Sequence, residues 1–311
     1  MKKVLIIALT CAWFVAGISS VFSQRGKGYT YFSVGPSLGT TNYKGDLDDD
    51  FTLKFTKFGL GAMGYYQFHP HMSLRLNFSQ GWMGASDSVT KNFSRNYRNL
   101  SFRSPITELS VQLIYDFFGS NRRYKYRRDW TPFAFTGVGV FTFNPKAKAN
   151  DGKWYALQPL GTEGQYLVGV SGTPKPYSLT QICIPIGVGV KRRLSEKWDL
   201  RVEIGMRKVF TDYLDDVSDK YANPEEMYRQ MGAIAFELAD RSNYVRSAAD
   251  PTQLGRTLPF ADRARDGQGR LLSGYWQNDI RGFKSQDDWY VYSCVSVSYI
   301  LDFVRCPKFG N

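Results

Sequence analysis

Two histidines, His69 and His71, are the only imidazoles in 311 residues, and they stand on either side of Pro70. Two ligands on one turn are too few for a metal centre by themselves, so no metal site is assigned. The turn they occupy is short and lies at the end opposite the long connections of the chain. An acid–base centre at the outer mouth therefore has no histidine to serve as its base, and a non-enzymatic protein without cofactor is expected. Long apolar runs are missing too: past the first two dozen residues nothing approaches the roughly twenty apolar residues of a membrane helix. Any crossing of a bilayer by this chain has to be made by strands. Calcium-loop spacing is also absent: Asp48, Asp49 and Asp50, and the set Asp212, Asp215, Asp216 and Asp219, fit no twelve-residue EF-hand pattern. They read as solvated loop and turn-capping residues, and calcium binding by these loops is left open.

Cysteine is scarce, with Cys11, Cys183, Cys294 and Cys306 making up the 4. Lys2 and Lys3 precede the apolar run Val4 to Val15, which gives way to small and polar residues ending at Ser23. This is the pattern of a secretory leader over residues 1–23, cleaved before Gln24, with lipidation of Cys11 as the alternative. Three cysteines then remain, and an odd number in an oxidising compartment leaves one thiol unpaired or paired with another chain. The formal net charge is +12. On an exported chain such a charge meets anionic lipid headgroups and acidic proteins, so no nucleic-acid partner is expected.

What the chain does have is alternation. Trp289, Val291, Val295, Val297, Tyr299, Leu301 and Phe303 share one face of the stretch 289–303, opposite Cys294, Ser296, Ser298 and Asp302. That is period two over about fifteen residues, three times an ordinary strand, with aromatics at both ends of its apolar face. Aromatic girdles around an apolar band mark a strand that crosses lipid. Seven further segments alternate in the same way, over Thr30–Leu38, Phe55–Tyr66, Met72–Ser79, the residues after Pro105 to Phe117, Pro132–Phe143, Gln181–Arg192 and Leu200–Arg207. A mean hydropathy of −0.35 does not oppose this, because half of each spanning strand faces a polar interior. Aromatics at 16% fit the same class.

The connections alternate as well. Long ones over Gly39–Lys54, Ala85–Ser104, Asn144–Thr180 and Tyr213–Asp288 are separated by shorter ones at Gln67–His71, Phe118–Thr131 and Leu194–Asp199. The expected fold is all-β: an eight-stranded antiparallel transmembrane β-barrel over residues 24–311 with long extracellular loops. An even number of strands puts both termini in the periplasm of an outer-membrane protein. Within the long outer loop 213–288, Asn223-Pro224-Glu225-Glu226 is a helix start, and Met227, Met231, Ile234, Ala235 and Leu238 continue at helical spacing. One short helix over Pro224–Arg241 is expected there, its methionines used for packing. Arg75, Glu108, Asp116, Arg201, Glu203 and Arg207 fall on the inward face with both signs present, which predicts an ion-paired, closed lumen.

Arg122, Arg123, Lys125, Arg127 and Arg128 make the densest basic run, interleaved with Tyr124 and Tyr126 on a short turn. They are candidate contacts for lipid phosphate or for an acidic periplasmic partner. Cys306, in the tail 304–311, is a candidate contact for another protein. Gly35-Pro36-Ser37-Leu38-Gly39 with Asn42-Tyr43-Lys44-Gly45-Asp46-Leu47, Trp130-Thr131-Pro132-Phe133-Ala134-Phe135, Phe143-Asn144-Pro145, Gly161-Thr162-Glu163-Gly164-Gln165 and above all Thr211-Asp212-Tyr213-Leu214-Asp215-Asp216-Val217-Ser218 with Tyr221 resemble the PorG-type outer-membrane barrels of the type IX secretion system. The resemblance implies an anchoring subunit that holds the periplasmic ring of a lipoprotein and its partner to the outer membrane, supporting protein export and, in some relatives, gliding. It implies no catalytic residues and no small-molecule substrate. A small-ligand-binding or transport barrel is the alternative reading.

Overall fold

The period-two segments form strands of 12 to 16 residues that pair antiparallel around a closed ring. The computed structural model describes residues 30–48, 53–90, 92–119, 123–242, 244–246, 254–256, 275, 277–282 and 288–301. The leader, Arg122 and Cys306 lie outside the described residues. In chain order the strands are β1 (Tyr31–Lys44), β2 (Lys57–His69), β3 (Met72–Ser86), β4 (Ser101–Asp116), β5 (Trp130–Phe143), β6 (Lys146–Lys148), β7 (Trp154–Ala156), β8 (Thr180–Arg193), β9 (Trp198–Val209), β10 (Tyr244–Arg246), β11 (Leu254–Arg256) and β12 (Trp289–Leu301). Eight of them close the barrel in the order β1-β2-β3-β4-β5-β8-β9-β12, with β12 returning to pair with β1. The hairpin β6–β7 extends from β4 above the long-loop end, and β10–β11 form a separate small ribbon.

Outward positions are apolar. Leu38, Leu76, Val111, Val138, Ile182 and Val202 are all exposed along the wall. Aromatics bound this band, with Phe58 and Phe210 exposed toward the long-loop end and Tyr115, Trp130 and Trp198 toward the short-turn end. At roughly 3.3 Å per residue and a tilt near 40°, the strands rise about 30–40 Å along the barrel axis, enough for a hydrocarbon core.

Several strands run further than their alternation suggests. β1 continues past Leu38 to Lys44 because Gly39 to Lys44 stay in register with Cys294 to Trp289 on β12. β4 begins at Ser101, before Pro105, because Ser101 to Ser104 pair with Ser86 to Met83. The phenylalanines of β5 turn inward: Phe133, Phe135, Phe141 and Phe143 are buried. Room for them comes from glycine, since a Cβ on Gly187 or on its register partner Gly205 would stand 2.4 or 2.7 Å from the Phe135 ring.

The single helix expected over Pro224–Arg241 is two. α2 (Pro224–Met231) starts as read, its Asn223 side chain accepting from Glu225 N at 3.0 Å and Glu226 N at 3.2 Å. It ends at Gly232, whose φ of 87° and ψ of 177° no other residue adopts without strain, and α3 (Ala233–Ala239) follows at once. Gly232→Ala is therefore expected to cost about 1–2 kcal/mol even though open space surrounds it, measured by denaturant unfolding of the folded barrel. Met227 packs in the small cluster with Ala235, Phe236 and Ala239, which accounts for the methionine stripe as packing. A further short helix, α1 (Phe93–Arg98) in the β3–β4 loop, carries no sequence pattern strong enough to announce it.

Candidate functional site

The lumen is filled by layers of buried ions and rings. Near mid-barrel Arg75 Nη1 on β3 donates to Glu203 Oε2 on β9 at 2.5 Å, both side chains essentially inaccessible. β3 and β9 lie four places apart in a ring of eight, so this bond spans the diameter of the barrel. Arg75 also donates through Nε to Gln112 Oε1 at 2.8 Å and lies 4.4 Å above the Phe135 ring. Toward the long loops Glu108 accepts from Arg207 Nε at 3.0 Å, from the Tyr290 hydroxyl at 2.9 Å and from Ser110. Toward the short turns Lys191 Nζ reaches Asp116 Oδ2 at 2.5 Å, and Arg201 lies 3.9 Å from the Tyr65 ring while bonding Ser298. Removing so many charges from water is costly unless each finds a partner, and here the signs alternate across the lumen. Cys183 and Cys294 face this interior as separate buried thiols, with no bond between them.

Above the long-loop end, acidic residues that read as solvated loop are buried fasteners. Tyr43 Oη stands 2.6 Å from Asp215 Oδ2 and 2.9 Å from Asp288 Oδ1. Asp215 Oδ1 caps its own turn by accepting from Val217 N at 2.9 Å, and Asp288 Oδ2 accepts from Leu214 N at 2.9 Å. Beside them Arg281 bonds Glu163 at 3.0 Å and the backbone carbonyl of Asp216, while Asp216 accepts from Thr162 and from Tyr177 at 2.6 Å. Glu163 in turn accepts from Ser218 N and from the Tyr213 hydroxyl. Asp87 and Arg98 form a third fastener at 2.7 Å. Burial pushes the Asp215 and Asp288 carboxyls well above the usual carboxylate range, with neighbouring carboxylates adding to the effect. Asp216 is pushed up to about 6 by burial, against the pull of Arg281. The segments 162–163 and 211–219, with Arg281 and Asp288, are thereby tied to the barrel rim and to each other.

The short-turn end holds the residues read from the basic run. Arg123 and Arg128 are exposed, Arg128 lying 5.6 Å from the Phe118 ring. Lys125 pairs with Glu196 at 3.1 Å on the surface. Arg127 is different: it is buried and binds Asp199 through Nη2 at 2.7 Å while donating to the carbonyls of Tyr124, Ser195, Glu196 and Trp198. It clamps the β4–β5 turn onto the β8–β9 turn across the mouth. His69 ends β2 and His71 lies on the β2–β3 turn, His71 Nδ1 being 2.9 Å from the Asp116 carbonyl. A groove between those same turns, lined by Lys125, Asp129, Trp130, Arg192, Arg193, Leu194 and Glu196, is nearly silent in the sequence. Its only signal was the Lys191-Arg192-Arg193-Leu194 run at the end of β8.

Three comparisons bear on what this arrangement belongs to. No curated protein matches the chain. Among solved structures, the chain is similar to the outer membrane protein OprG from Pseudomonas aeruginosa, at 11% identity and a TM-score of 0.39, covering 89% of this chain and 98% of that one. It is also similar to Ail, the attachment invasion locus protein of Yersinia pestis, at 8% identity and a TM-score of 0.36, covering 88% and 97%. Neisserial surface protein A matches at 9% identity and a TM-score of 0.36, covering 86% and 96%. The family model described as "Domain of unknown function (DUF6089)" matches residues 23–240, and the chain belongs to that family.

Proposed function

We propose that this member of the DUF6089 family is a non-enzymatic outer-membrane anchor whose barrel sits in lipid with its long loops outside and its short turns and termini in the periplasm. The observation that carries the reading is the Arg75–Glu203 bond across the full width of the lumen. A barrel closed by such a bond has no route for a solute, which disfavours the transport alternative, while its wall is apolar where lipid would touch it. What such a barrel offers a cell is a fixed point in the membrane and two faces. The outer face is fastened shut by Asp215, Asp216, Glu163 and Arg281. The inner face presents Arg123, Lys125 and Arg128 on an exposed turn.

The resemblance to the PorG-type barrels supports the finer reading: the inner face holds the periplasmic ring lipoprotein and its partner in a type IX secretion machine, with Arg122 and Cys306 as further contacts. Arg127 serves that face by holding its turns in place. The test is recovery of ring proteins with the tagged barrel from detergent-extracted outer membranes. Arg123→Glu with Arg128→Glu is expected to reduce that recovery at least about tenfold while the barrel still folds, and a deletion strain is expected to stop exporting its cargo. No ring protein recovered with the unaltered barrel would refute the role. Steady single-channel conductance from the purified protein would instead support transport.

A further inference from the structure

The groove left unexplained at the short-turn end lies on the outer wall, where the lipid-facing band stops. Outward positions of β8 run Val188, Val190, Arg192, so a cation succeeds two apolar side chains on one face at a spacing of roughly 6.6 Å per step. Arg192 is exposed and meets no carboxylate among the described residues; its guanidinium lies 4.8 Å from the ring of Trp130, its register partner on β5. Pro132, two residues along from Trp130, pairs with Val190. An apolar column therefore ends in a tryptophan and an unneutralised arginine. Around them Arg193 pairs with Asp129 at 2.7 Å and Lys125 with Glu196 at 3.1 Å, and the space between has a volume of about 530 Å³. With Lys125, Arg192 and Arg193 against Asp129 and Glu196, the lining is left with one net positive charge.

We infer that this groove binds the headgroup of a phospholipid from the inner leaflet, its phosphodiester on Arg192, its glycerol against Trp130 and Leu194, and an acyl chain along Val190 and Val188. One net positive charge matches the single negative charge of a phosphodiester, and both flanking ion pairs are surface pairs that yield at small cost. The apolar column is what selects a lipid over a free phosphate. This inference rests on the membrane placement proposed above but not on any protein partner.

Native mass spectrometry of the full chain folded in detergent micelles, titrated with phosphatidylglycerol, tests it. One lipid is expected to remain bound, with retention lowered about fivefold or more by Arg192→Gln and unchanged by Lys57→Gln, an exposed lysine at the opposite end of the barrel. Trp130→Ala is expected to weaken retention in the same direction. Equal retention by the unaltered protein and Arg192→Gln would overturn the assignment. Competition by glycerol 3-phosphate at the same concentration as the lipid would overturn it in favour of a free-phosphate site. Arg192→Gln lowering recovery of a periplasmic protein without changing lipid retention would overturn it in favour of a protein dock. Lipid retention unaffected by loss of the ring proteins leaves it standing even where the anchoring role fails.

Discussion

Glu203→Ala is expected to lower the stability of the folded barrel by about 3–5 kcal/mol, the largest single effect available in the lumen. The substitution leaves Arg75 where no water reaches it, its Nη1 facing the space from which a carboxylate was removed at 2.5 Å. Gln112 still accepts from Nε and the Phe135 ring still lies beneath the guanidinium, but neither carries a negative charge. Arg75 is always protonated, so it cannot escape the penalty by releasing a proton. The measurement is the urea midpoint of folded barrel in micelles, followed by the shift in electrophoretic mobility on heating. Arg75→Met combined with Glu203→Ala is expected to recover more than half of the loss, because the costly state is the lone charge and not the missing bond. If the double variant is no more stable than Glu203→Ala, the layer is held by packing around Phe135 and the ion pair is incidental. The same pair of variants bears on function, since a lumen sealed only by this bond would begin to conduct once it is gone, whereas the Glu108–Arg207 and Lys191–Asp116 layers are expected to keep it closed.

The wall of this barrel was legible because outward and lumen-facing positions follow a strict period, and each inward charge of β3, β4 and β9 fell where the alternation placed it. Partner choice was not legible. Arg127 sits inside a run of five basic residues that looks uniformly solvated, yet its acceptor Asp199 is 72 residues away on another turn. Period says which way a side chain points and nothing about what it meets there. The β5 phenylalanines show the same limit from the apolar side, because the inward Phe135 ring needs Gly187 and Gly205, and Phe133 needs Gly189, on two other strands. The helix break at Gly232 could have been suspected from the glycine, but the apolar spacing runs straight through it and outvotes a single residue. Asp215 and Asp216 misled most. Two adjacent aspartates in a long loop have the composition of solvated chain, and only the fold brings Tyr43, Tyr177 and Arg281 against them.

That buried acidic fastener leads to the second large effect, a loop cap that is tighter in acid than at neutral pH. The Tyr43 hydroxyl has one hydrogen and cannot donate to Asp215 at 2.6 Å and to Asp288 at 2.9 Å together. Both contacts are satisfied only when one of the two carboxyls keeps its own proton and donates it to the tyrosine oxygen. Burial favours that protonated form, and so do Asp46 facing Asp215 and Asp212 facing Asp288, while Arg98 opposes it at Asp215. The folded values lie above the usual 3.8, so the stabilisation is complete below about pH 4 and is lost as pH rises through the folded values. For Asp216 that loss runs upward from the usual 3.8 and is complete once pH passes about 6. Hydrogen exchange over residues 211–218, corrected for the intrinsic rate, is expected to show protection at least about tenfold lower at pH 8 than at pH 5, one pKa unit of linkage being about 1.4 kcal/mol. Asp288→Asn supplies the missing hydrogen permanently: its amide can donate to Tyr43 while its carbonyl oxygen accepts from Leu214 N. This variant is expected to match or exceed the unaltered chain in protection at pH 8 and to flatten the profile. Asp215→Asn combined with Asp288→Asn leaves the Tyr43 hydrogen without a carboxylate and is expected to lose protection at every pH. A cap whose protection does not change between pH 5 and 8, or one that Asp288→Asn loosens at pH 8, would show that the two aspartates are held apart from any shared proton.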